Sequence, residues 1–165
     1  MKKKIILLLI LNLGLVSCNK ETPTQFSEVA LQEQFLTLNG DPLTFESILK
    51  KHKGKTTLII IWAAWCRDCL GELPRIKEFQ QQNNEVDYVF LFLDRSIESW
   101  KNGISKFNII GDHYLLPSGW KGPFVDFIDL DWVTRYLVVD HTGKIKIFKA
   151  TKINNKYLRE SLINK

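Results

Sequence analysis

Two kinds of apolar pattern alternate along the chain. Leu58 to Trp62 is a continuous apolar, β-branched run, the pattern of a strand covered on both faces. Beyond it, Leu70, Leu73, Ile76 and Phe79 recur at helical spacing, and the polar pair Asn83-Asn84 ends the helix after Gln82. Val86 to Leu93 is a second buried run, and Asp94-Arg95-Ser96 caps a helix over 97–107. Strand, helix, strand, helix in this order predicts a right-handed unit with parallel strands.

On the N-terminal side, Phe35 to Leu38 and Leu43 to Phe45 flank Asn39-Gly40-Asp41, the pattern of a hairpin with an Asn-Gly turn. A short helix over 46–50 and a polar turn over 51–55 lead into the central strand. On the C-terminal side, 113–116 reads as a connecting segment, 117–123 as a loop and 124–130 as a short helix. Strands over 135–139 and 144–149 are joined by the turn Asp140-His141-Thr142-Gly143, and a helix over 154–164 closes the chain. The expected class is α/β, a central mixed sheet flanked by helices with an added N-terminal hairpin.

Composition changes this picture at one end. Lys2-Lys3-Lys4 precede the apolar stretch from Ile5 to Val16, which is short for a membrane span and has the shape of an export signal. It ends in Leu15-Val16-Ser17-Cys18, which resembles the bacterial lipoprotein box. That resemblance implies loss of 1–17, acylation of Cys18 and attachment to a membrane of the bacterial cell envelope, facing the periplasm or exterior. Residues 18–30 are polar and read as a tether, with the folded domain over 31–165. The formal charge of +5 falls to +2 once the three leader lysines are gone, which argues against a nucleic-acid partner. A monomer is expected.

The chemistry concentrates where the central strand gives way to its helix. Cys66 and Cys69 are separated by Arg67-Asp68, one helical turn apart at a helix N-terminus. Unsatisfied backbone N–H groups and the positive end of the helix dipole favour a thiolate there, and the thiolate is the nucleophile of disulfide exchange. Cys66 is expected to attack from an exposed position and Cys69 to resolve. A zinc knuckle would need a second Cys/His pair at finger spacing, which the sequence lacks. A purely structural disulfide is the other alternative. His52, His113 and His141 are scattered, and no metal or cofactor is expected beyond a redox-active Cys66–Cys69 disulfide.

The block from Ile61 to Pro74, Ile-Trp-Ala-Ala-Trp-Cys-Arg-Asp-Cys-Leu-Gly-Glu-Leu-Pro, resembles the thioredoxin superfamily, most closely its TlpA/ResA-like branch of extracytoplasmic thiol–disulfide oxidoreductases. The resemblance implies the thioredoxin fold and exchange with protein thiol or disulfide substrates. A reductase role follows, of the cytochrome c maturation kind or general, supplied by an upstream membrane electron donor. It also implies that Glu72 takes part, as proton acceptor for the second thiol, with a dipole-compensating surface glutamate as the alternative. Trp65 would shield the disulfide or meet substrate, with a core or rim aromatic as the alternative, and Pro74, too far in for a helix start, should kink the helix.

One position departs from the family. Its cis-proline precedes the penultimate strand, and alignment on Asp140 puts Thr134 there. A cis bond before a non-proline residue costs about 3–4 kcal/mol in a peptide, so Val133–Thr134 is expected trans, with the threonine hydroxyl turned toward the Cys66 sulfur. The departure keeps a second class open, a binding or assembly module on the same fold with weak redox catalysis.

Overall fold

The computed structural model describes residues 22–163; the leader and Cys18 lie outside them. A seven-stranded mixed sheet runs in the order β2-β1-β5-β4-β3-β6-β7. Its strands are β1 (Gln34–Leu36), β2 (Pro42–Thr44), β3 (Thr57–Trp62), β4 (Asp87–Phe92), β5 (Asp112–Leu115), β6 (Arg135–Val139) and β7 (Ile145–Ala150). The helices are α1 (Glu28–Leu31), α2 (Phe45–Lys51), α3 (Arg67–Gln82), α4 (Ile97–Phe107), α5 (Pro123–Phe127) and α6 (Lys156–Ile163).

Strands β3, β4 and β5 are parallel, and β6 and β1 add to them antiparallel on either side. Every residue of β3 is buried, which is why it reads as an unbroken apolar run rather than an alternating one. The parallel order is fixed by two crossovers through α3 and α4. Trp62 at the end of β3 packs edge-on against Phe92 of β4, and Phe92 stacks on Trp100 of α4. Gly103 of α4 faces the Trp62 ring, where an added Cβ would lie 3.1 Å away. The absent side chain therefore lets the helix lie close against the end of the central strand.

The segment over 113–116 is a strand rather than a connector. Its residues pair with β4 on one side, and Leu115 pairs with Leu36 of β1 on the other. The tether expectation also ends early: Phe26 is buried, and it meets Phe45 edge-on at 4.8 Å and Phe127 at 5.4 Å. Phe35, Phe45 and Phe124 complete this aromatic cluster, which roots the added hairpin on α5. Glu33 then reaches across it. Its carboxylate accepts from Ser118 Oγ at 2.9 Å and from the Phe124 backbone N–H at 3.3 Å. Helix α5 has no side-chain cap of its own at Gly122, so Glu33 supplies one from a distant part of the chain and fixes the loop that carries Trp120.

Candidate functional site

Strand β3 ends at Trp62, and buried Ala63 begins the turn into α3. Cys66 is the N-cap of α3, in extended conformation, and its own N–H bonds back to the Ala63 carbonyl at 3.1 Å. Its Sγ accepts the Cys69 backbone N–H at 3.2 Å, so a sulfur takes the place that a serine or aspartate oxygen usually holds at a cap. The same sulfur donates to the Val133 carbonyl at 3.3 Å. Both cysteines are free thiols.

The sequence reading made Cys66 an exposed thiol, whereas only 5% of it is accessible, against 1% for Cys69. The reason is the segment before β6, which closes over the cysteines and was not placed there by local pattern. The Val133–Thr134 bond in that segment is cis, not trans. The trans expectation weighed the dipeptide alone. In the folded chain both residues are buried, and the Val133 carbonyl is held by Cys66.

Thr134 Oγ1 is buried and meets no partner at hydrogen-bond geometry. The sulfur it influences is that of Cys69, whose ionisation it favours. Burial dominates at Cys69 and, with the neighbouring Cys66, pushes its thiol from an ordinary 9.0 up to about 12. Cys69 therefore stays protonated at neutral pH.

Glu72 is 8% exposed, on the first turns of α3 beyond Cys69. Its Oε1 accepts from Arg75 Nη1 at 2.7 Å. Its Oε2 accepts from the Ile153 backbone N–H at 2.9 Å and from the Tyr136 hydroxyl at 3.4 Å. Tyr136 is itself buried, and its hydroxyl is pushed well above the ordinary range first by burial, then by the Glu72 carboxylate and by Cys69. Glu72 is thus a buried carboxylate held by three donors from three parts of the chain. Pro74 lies inside α3, which continues through it to Gln82.

Sequence reasoning missed Tyr136, Arg75 and Trp132. Tyr136 was findable, since it lies in β6 two residues past Thr134, the spacing at which an extended chain repeats a face. Arg75 sits at the i+3 position from Glu72, a recognised pairing distance on a helix. Trp132 gave no signal, because nothing in the local pattern says that the segment before β6 folds over the dithiol.

Exposed tryptophans lie close in the chain to the buried sulfurs and to the segment that covers them. Trp65 is 59% exposed and lies 6.3 Å, centroid to centroid, from Trp120, which is 42% exposed. Trp132, 61% exposed, precedes Val133, whose carbonyl accepts from Cys66. Below Trp132 a cleft of about 750 Å³ opens between α3 and the residues after β7, and Thr134, Glu72 and Arg75 are among its lining. No cluster of three or more metal-ligating side chains occurs among the described residues.

A family model described as thioredoxin-like matches residues 54–145, more than half of the chain. The chain belongs to the thioredoxin-like family. This thioredoxin-like protein is also 25% identical over 164 residues to the thioredoxin-like protein YneN of Bacillus subtilis, with 94% of each chain covered. Among solved structures, it resembles a candidate thiol–disulfide oxidoreductase from Bacteroides vulgatus, with a TM-score of 0.66 and 25% identity over 88% of this chain and 90% of that one. It also shares the fold of a secreted disulfide oxidoreductase of Mycobacterium tuberculosis, with a TM-score of 0.60 and 19% identity over 81% and 96% of the two chains. The fold is thus one on which thiol–disulfide oxidoreductases are built.

Proposed function

We propose that this protein is an extracytoplasmic thiol–disulfide oxidoreductase that works through the Cys66–Cys69 dithiol, held to a membrane by lipid on Cys18. The observation that carries the reading is the capping geometry of Cys66. A sulfur that accepts a backbone N–H at a helix N-terminus gains stabilisation as a thiolate, and the thiolate is the attacking species. In the proposed cycle Cys66 attacks a substrate disulfide. A mixed disulfide forms and one substrate thiol leaves. Cys69, its proton passed to Glu72, then attacks Cys66, which closes the intramolecular disulfide and frees the second substrate thiol. The substrate gains two electrons and two protons, and an upstream donor restores the dithiol.

A reductase role, in cytochrome c maturation or more generally, follows the TlpA/ResA-like resemblance of the Ile61–Pro74 block. The test is insulin reduction by the full-length protein, with Cys66→Ser beside it. Turnover by the parent and none by the variant is expected. Equal rates in the two would leave the chain a binding or assembly module on a thioredoxin-like scaffold.

A further inference from the structure

Apart from Glu72, the charged side chains of the cleft beside the dithiol have no part in the exchange chemistry. Three of the cleft's cations are matched. Arg75 pairs with Glu72, Arg135 with Asp131, and Lys149 with Asp129. Two others, Arg67 on α3 and Lys152 after β7, are exposed on the cleft lining and make no ion pair among the described residues. Asp68 is the one lining carboxylate left to offset them, so the cleft keeps a positive surplus. Gly71 leaves the α3 wall open, since an added Cβ there would meet nothing within 4 Å. One buried polar atom of a lining residue, Arg135 Nε, lacks a hydrogen-bond partner. At about 750 Å³ the cleft is within the size range of ligand sites.

Its position says what kind of ligand reaches it. Cys66 is recessed, and its sulfur meets the carbonyl of Val133, whose chain neighbours Trp132 and Thr134 both line the cleft. A substrate chain that leaves Cys66 past Val133 would therefore meet the cleft. We infer that the cleft is a docking site for the flank of the substrate polypeptide, and that it selects flanks bearing carboxylates next to the reacting cysteine. Arg67 and Lys152 are the residues that receive them. The inference rests on the oxidoreductase reading and adds a substrate class to it. Each step remains the exchange already written, in which the peptide disulfide is reduced to two thiols and the Cys66–Cys69 dithiol is oxidised.

The test uses the reduced full-length protein and three synthetic peptides. Each has one disulfide, and they differ only in whether the flank carries aspartates, lysines or serines. Exposed pairs of this kind are individually weak, so kcat/KM for the acidic peptide should exceed that for the serine peptide by roughly three- to ten-fold. The lysine peptide should be the slowest. The acidic preference should shrink as ionic strength rises, a readout that needs no variant. Lys152→Glu should bring the acidic-to-lysine ratio down toward one or below it. Equal kcat/KM for all three peptides would overturn the docking inference and leave the oxidoreductase reading standing. Reduction of none of them would overturn both.

Discussion

At the scale of single residues, the site divides its labour through burial. Cys66 caps a helix and keeps a sliver of accessible surface, whereas Cys69 is pushed up to about 12 by desolvation. Alkylation of the reduced protein near neutral pH should therefore label Cys66 first, and mass mapping that finds Cys69 labelled first would reverse the assignment of roles. The same burial has a consequence for stability. The unfolded thiol ionises around 9.0 while the folded one resists to about 12, so folded and unfolded states differ in protons bound only above the lower value. Reduced protein should lose stability as pH climbs from about 9 toward about 12, and Cys69→Ser should lose less; denaturant midpoints across that window check it. Glu72 is the second residue-scale test. Glutamine keeps its shape and removes the charge that, in the proposed cycle, would take up the Cys69 proton. Resolution of the mixed disulfide should slow by about ten- to hundred-fold in Glu72→Gln, with the fold intact by circular dichroism. An unchanged resolution rate would make Glu72 only the anchor of Arg75, Tyr136 and Ile153.

At the scale of elements, the parts that were legible in the sequence are those governed by local physics. The unbroken run of β3, the periodicity of α3, and the serine cap of α4 each announce themselves within one window, and Ser96 Oγ does accept the Ser99 N–H at 3.1 Å. What escaped depends on distant partners. The short strand β5 reads as a connector because its four residues are a strand by virtue of lying between β4 and β1. Phe26 sits in a polar stretch and becomes core only through Phe45, Phe124 and Phe127. The site shows the same division. Cys66, Cys69 and Glu72 stand on one helix and were readable together, while Tyr136, Trp132 and the cis bond belong to a segment brought over them by the sheet order. The entry to β5 gives a prediction at this scale. Gly111 has φ +145°, and a Cβ added to it would lie 2.6 Å from the Tyr88 carbonyl oxygen. Gly111→Ala should thus cost about 1–3 kcal/mol and lower the melting temperature by several degrees in a thermal scan. A variant as stable as the parent would mean that the β4–β5 junction tolerates a shift.

At the scale of the whole molecule, the thioredoxin-like sheet carries a recessed dithiol at the end of its central strand, with Trp65 exposed beside it. The leader belongs to the same scale. Acylation of Cys18 would remove the remaining cysteine from thiol chemistry and leave the Cys66–Cys69 pair as the one dithiol of the mature chain. Mass spectrometry of membrane-extracted protein should find an acylated N-terminal Cys18, and a soluble mature form that starts elsewhere would refute the anchor. The proposed chemistry requires that these two thiols interconvert reversibly with a disulfide. Equilibration of the full-length protein in glutathione buffers of graded potential, followed by acid quench, alkylation and peptide mapping, tests it directly. A single two-electron transition that protects Cys66 and Cys69 together, and reverses on return to reducing buffer, is the expected result. Independent titration of the two cysteines, or glutathione adducts without a Cys66–Cys69 disulfide, would contradict it.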